Sequence, residues 1–143
     1  MGQYFENFKD ALPDIKKVRK IKKDLEKKGV KYIYSNWIDF LGSPKTKPMP
    51  ISDFEDLCMG KGPQFAVHSV SFVPELTPAD NDQIPVPDLD SLVICPWDKT
   101  SAWVLADLYW NDKPYDVCPR MKLKKQITES AKSDLKFFVG IEP

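Results

Sequence analysis

The sequence is short of the residues that most catalytic constellations need. It holds one histidine, His68, so any Ser-His-Asp or Cys-His arrangement would have to be built on it. Ser69 is its chain neighbour, but adjacency along the chain is not hydrogen-bond geometry, and a lone loop histidine is more often a surface or packing residue. The three cysteines, Cys58, Cys95 and Cys118, are odd in number and far apart. That argues against a disulfide scaffold and a zinc knuckle, and fits a reducing cytosol. No apolar run approaches the roughly 20 residues that a membrane-spanning helix requires. The N-terminus lacks a secretory apolar region, and Glu6 stands where a myristoylation signal wants Ser or Thr. An excess of either charge is missing too. Lysine plus arginine and aspartate plus glutamate are both 21, leaving no bulk field to recruit nucleic acid or membrane. Gly60-Lys61-Gly62 follows a predicted helix instead of joining a strand to one, so it reads as a helix C-cap and not as a phosphate loop. These absences predict a soluble, cytoplasmic protein without a nucleic-acid or membrane partner.

What remains is ordinary globular composition. With 143 residues, 42% apolar and 29% charged, the chain can form one domain with a real core. Thirteen prolines imply ordered loops between short elements. Asp14 and Gly29 bracket a helix in which Ile15, Val18, Ile21 and Leu25 form a narrow apolar stripe. Its other face is basic, from Lys16 to Lys28. No aromatic residue is interleaved to stack bases, which favours a solvated face over a nucleic-acid stripe. Val30–Ile38 and Lys45–Met49 read as a hairpin turning at Gly42. Ser52 and Glu55 form a capping-box pattern for a helix from 52 to 59. Residues 64–90 read as a long functional flap. Ser91–Trp97 and Ala102–Trp110 read as strands, the second covered on both faces. Pro119 opens a helix with Met121, Leu123, Ile127 and Ala131 inward, and Lys136–Ile141 reads as a closing strand. The expected fold is α+β: a mainly antiparallel sheet with helices packed on one face, preceded by the basic N-terminal helix.

Chemistry read from the residues alone is incomplete. The flap is rich in carboxylates (Glu75, Asp80, Asp82, Asp88 and Asp90), but it lacks the regular oxygen spacing and glycine bend of a calcium loop. The tryptophans 37, 97, 103 and 110 lie in or beside strands and read as core. On these grounds the chain is a binding or assembly domain with one odd terminal carboxylate, Glu142.

Three stretches, in this order, carry a resemblance. The first runs from Trp37 to Pro50 (WIDFLGSPKTKPMP). The second is Asp80–Asp88 (DNDQIPVPD) followed by Val93–Trp97 (VICPW). The third is Tyr115–Arg120 (YDVCPR), a helix, and Phe138–Pro143 (FVGIEP). Together they resemble the N-terminal part of glutamine synthetase, on the side of the family that includes glutamate–methylamine ligase. Asp82, Pro87 and Asp88 keep the family's spacing, and Gly140-Ile141-Glu142 opens its Gly-x-Glu-x-Glu motif.

The resemblance implies a β-grasp domain over residues 30–118, preceded by a helical extension at 1–29. Residues 119–143 become a helix and strand leading toward a catalytic domain beyond this sequence. It implies an ATP-dependent ligase that makes a γ-glutamyl amide from glutamate and ammonium or a small amine. The implied assembly is a homo-oligomeric ring in which this domain completes the active site with the catalytic domains of its own and the neighbouring subunit. Mg²⁺ (or Mn²⁺) and ATP would serve the intact enzyme, with Glu142 as one metal ligand of a partial site. No cofactor and no ligase activity are expected of this chain alone. At the nitrogen-donor loop, family members that use ammonium have Phe-Asp-Gly-Ser-Ser, whereas this chain has Phe65-Ala66-Val67-His68-Ser69. Ala66 replaces the ammonium-binding aspartate, and His68 or Ser69 could supply a polar contact instead. The alternative is a stand-alone binding or assembly module without catalysis.

Overall fold

The computed structural model describes residues 3–68, 75–136 and 138–142. A one-turn helix α1 (Phe8–Ala11) precedes α2 (Ile15–Lys27), which Asp14 caps by accepting the Lys16 N–H at 2.6 Å. The strands are β1 (Tyr32–Ile38), β2 (Pro44–Pro50), β3 (Ile84–Pro87), β4 (Val93–Ile94), β5 (Ser101–Trp110) and β6 (Lys113–Pro114). Helix α3 (Phe54–Cys58) follows β2, and α4 (Pro119–Ala131) follows β6. The sheet runs β2-β1-β5-β3, with β4 and β6 also paired to β5. The hairpin β1–β2 is antiparallel, while β1 and β5 are parallel from Tyr32–Ser101 to Asn36–Leu105. The mainly antiparallel, β-grasp-like sheet agrees with the expectation, while the parallel pairing of the chain-distant strands β1 and β5 is a feature the sequence did not specify.

One core forms where α2 and α3 cover the early part of β1 and β5. Val18 and Leu25 pack there with Ile33, Met49, Phe54, Leu57, Ala102 and Val104. The helical spacing of Val18 and Leu25 puts both on one side, and full burial of each such side chain stabilises by about 1.5–3 kcal/mol. The second core gathers Trp37, Phe65, Val67, Leu108, Tyr109, Tyr115, Cys118 and Met121, at the opposite end of β5. All three cysteines are buried and unpaired, packing as small apolar groups. No helix among the described residues is long and apolar enough to cross a membrane.

Several expectations are corrected. The sheet includes β3, inside the segment read as loop. Its Pro85 and Pro87 pair with β5 on the sheet's margin, where a missing N–H is tolerated. The strand expected over 91–97 shrinks to β4, because Asp88 accepts the Asp90 N–H and bends the chain into a tight helical turn at Leu89–Ser91. The capping box does not form. Residues 51–53 make a tighter turn, and the Ser52 hydroxyl donates to Asp53 at 2.7 Å. In α4 the inward residues are Met121 and Lys124, whereas Leu123 and Ile127 are 50% and 43% exposed. Of the tryptophans, Trp37 is buried but Trp97 is 83% exposed. Residues 138–141, expected as a closing strand, pair with no strand among the described residues. Phe138 and Ile141 are about 90% exposed there, because an extended segment without a ladder partner has nothing to hold it in a sheet.

Candidate functional site

The loop over residues 64–68, where the resemblance leads one to expect the nitrogen donor, is anchored before it reaches its candidate residues. At the end of β1, the Trp37 ring stacks on Phe65 with centroids 4.1 Å apart and planes 5° from parallel. Phe65 also exchanges two backbone hydrogen bonds with Gln83, at 3.3 and 2.9 Å. From β2, the Lys47 ammonium donates to the Gln64 carbonyl and lies 5.7 Å from the centre of the Phe65 ring. Val67 is fully buried. The loop is therefore held by stacking, a two-bond bridge and a cation above an aromatic face. Ala66 and His68, on either side of Val67, are both partly exposed. Ser69, the third candidate, lies outside the described residues.

The hairpin turn next to Trp37 is organised by a buried carboxylate. Asp39 accepts the N–H groups of Leu41 at 3.0 Å and Ser43 at 2.8 Å, and Lys45 lies 3.4 Å away. Burial pushes this carboxyl upward, but the Ser43 N–H, the Lys45 ammonium and the Leu41 N–H outweigh it and hold its pKa below the usual carboxylate range. Phe40 and Leu41 stand exposed at the tip.

A charged group that sequence reasoning missed sits between β5, the end of β3 and α4. Arg120 donates to Asp107 at 2.8 Å and to Asp88; Lys124 bonds the same two carboxylates, reaching Asp88 at 3.2 Å. All four side chains are largely buried. Two cations and two carboxylates leave no net charge, and every ion has two partners, the condition under which buried charges persist. The signal was Arg120 and Lys124 at i and i+4, which places both on one face of a helix. An apolar-stripe reading passes over it because that face is charged.

Glu142 is exposed, and among the described residues no group of three or more His, Cys, Asp or Glu side chains is placed to hold a metal ion. Mg²⁺ and Mn²⁺ favour near-octahedral oxygen coordination, so the residues described here do not by themselves fit such an ion.

No protein-family model matches the chain. It is 37% identical over 116 residues to the glutamine synthetase of Rhizobium meliloti (strain 1021), which covers 81% of this chain and 26% of that protein. It is 31% identical over 121 residues to the glutamate–methylamine ligase of Methyloversatilis universalis, covering 83% of this chain and 27% of that one. Among solved structures, ligand-free GmaS superimposes with a TM-score of 0.73 at 27% identity, over 80% of this chain and 26% of that chain. The chain thus spans about a quarter of the length of the curated relatives it matches. Over the matched four fifths of its length, the chain belongs to the glutamine synthetase family, in the broad sense that includes glutamate–methylamine ligase.

Proposed function

We propose that this chain is the N-terminal β-grasp domain of an ATP-dependent ligase that forms a γ-glutamyl amide from glutamate and a small amine, methylamine in preference to ammonium. In the assembled enzyme it completes an active site whose catalytic domain belongs to a neighbouring subunit. The observation that carries the amine preference is the anchored loop with an uncharged residue, Ala66, at its partly exposed position.

The physical argument is a comparison of charges. A carboxylate about 4 Å from an ammonium ion attracts it by about 4 kcal/mol at an effective dielectric near 20, and it can accept the proton that ammonium must lose. Alanine supplies neither. It offers an apolar methyl group beside which a methylated amine loses less hydration than ammonium would. His68 is the nearest titratable side chain along the chain and is assigned the polar contact. The described residues make no metal site, so metal and nucleotide chemistry are assigned no step in this domain; glutamate and ATP belong to the remainder of the enzyme.

The test is a competition assay on a ligase that contains this domain together with its catalytic domain. Ala66→Asp is expected to raise ammonium use relative to methylamine by about tenfold or more, the factor that 1.4 kcal/mol confers. An unchanged preference would remove Ala66 from the nitrogen-donor position. This chain by itself, given glutamate, ATP, Mg²⁺ and methylamine, is expected to yield no product, and measurable amide would overturn its dependence on a second domain.

A further inference from the structure

The end of β1 holds a buried donor without an acceptor. Trp37 is 4% exposed, and its indole N–H meets no hydrogen-bond acceptor among the described residues. An indole nitrogen can only donate, so no change of tautomer or protonation relieves it. Trp110 shows the ordinary outcome in the same fold: its indole donates to the Asn81 carbonyl at 2.8 Å. Buried polar groups of native proteins are nearly always paired, either with protein or with ordered water.

The cavity beside the Trp37 ring has the size of one water molecule. Trp37 lines it together with Asp39, Gln83 and Tyr115, while Leu108 and Val117 supply apolar wall. It leaves about 10 Å³ for the centre of a water molecule, close to the least that holds one. The strands explain why space opens at this point. Pairing of β1 with β5 ends at Asn36–Leu105, whereas pairing with β2 continues to Ile38–Pro44, so past Asn36 one side of β1 is no longer closed by β5.

The chemistry of the wall fits water as well. Oδ1 of Asp39 accepts the Leu41 and Ser43 N–H groups, but its Oδ2 meets only the Lys45 ammonium, at 3.4 Å, among the described residues. A carboxylate oxygen has two lone pairs, so Oδ2 has capacity for a further donor. Gln83 is fully buried and Tyr115 is 5% exposed, and the side chains of both can donate and accept. The wall thus offers the two to four polar partners that a buried water takes.

From this orphaned donor in a water-sized cavity we propose that Trp37 and Asp39 bind one internal water molecule. The water accepts from the indole N–H and donates to the Asp39 carboxylate. A cation fits less well, because it has no lone pair for the indole proton. An anion would lie against the Asp39 carboxylate, and a larger neutral molecule exceeds the space. The water ties the hairpin turn that Asp39 organises to the ring on which Phe65 stacks at 4.1 Å. It thereby fixes the Trp37 ring and, through Phe65, the loop over residues 64–68. The inference does not depend on the ligase reading.

A high-resolution crystal structure of the full chain tests occupancy. One density peak is expected within about 2.7–3.2 Å of both Trp37 Nε1 and an Asp39 carboxylate oxygen. A dry cavity, a direct bond from the indole to a protein group, or an ion or larger molecule at the site would each overturn the proposal. Hydrogen exchange followed by NMR tests what the water does. Trp37→Phe removes the donor and keeps a ring to stack. The Phe65 and Gln83 amides, which bridge the loop to the segment entering β3, should then exchange about tenfold faster. That factor corresponds to about 1.4 kcal/mol, within the net worth of one hydrogen bond. The amides of α2 should keep their wild-type rates. Unchanged rates at Phe65 and Gln83, or equal acceleration in α2, would refute the positioning role. If Trp37→Phe does not fold, the density at Trp37 in the wild-type chain decides the proposal.

Discussion

Replacing Lys124 by methionine keeps most of the side-chain volume but removes the ammonium that Asp88 and Asp107 share. Arg120 would remain as the cation bonded to both carboxylates, giving a group of net charge −1 among side chains that are each less than about 15% exposed. Breaking a buried ion pair from one side costs about 3–5 kcal/mol, mostly because the remaining charge is uncompensated. Arg120 still bonds both carboxylates, so the lower end applies, about 3 kcal/mol. For a chain of 143 residues this corresponds to a drop in melting temperature of roughly 10 °C. Urea unfolding followed by tryptophan fluorescence and circular dichroism measures it, with Lys122→Met as the control. Lys122 pairs with the well-exposed Asp116 at 2.9 Å, and its loss should stay within about 0.5 kcal/mol. A double-mutant cycle with Asp107→Asn should give a coupling of at least about 1 kcal/mol, because the second change removes the charge that the first left stranded. If Lys124→Met loses less than about 1 kcal/mol, or costs no more than Lys122→Met, the reading of a tightly balanced buried group is refuted.

Two further outcomes follow from the structure. Gly60 has φ +70°, and a Cβ placed there would meet the Phe8 ring, with Cε2 at 2.7 Å; at Gly29, with φ +84°, a Cβ would meet nothing within 4 Å. Gly60→Ala should therefore lose about 2–4 kcal/mol and Gly29→Ala about 1–2 kcal/mol in the same unfolding assay, the difference being the overpacking cost. The second concerns acid. Hydrogen bonds from Ser101 and Thr100 lower the Asp98 pKa, and the Arg19 bond lowers that of Glu55. A lowered folded pKa gives stability that is present above the ordinary carboxylate range and lost as pH falls through it. Stability should thus begin to decline near about pH 4, and Asp98→Asn should flatten that decline; an unchanged acid profile in the variant would contradict the assignment.

How far the sequence led depends on what each element's signal encodes. Helix α2, the hairpin β1–β2, strand β5 and the opening of α4 at Pro119 were legible, because local spacing, turn glycines and a proline at the first helical position are properties of neighbouring residues. The expectation that Ala66 stands at the nitrogen-donor position rests on an ordered set of motifs and not on chemistry. The stacking of Trp37 on Phe65 joins residues 28 positions apart, and the Lys47 contact to Gln64 spans 17. No periodicity carries either pairing.

By itself, then, the sequence determined the α+β class, the amphipathic helix and the family to which most of the chain belongs, since these reside in local pattern and in ordered motif. The tertiary structure alone decided that β1 lies parallel to β5, that β3 joins the sheet, and that α4 turns Lys124 inward and Leu123 outward. Those outcomes depend on which distant strand supplies hydrogen-bond partners and which distant carboxylates neutralise a buried cation. Asp88 and Asp107 lie 36 and 17 residues from Lys124, and only the fold brings them to it.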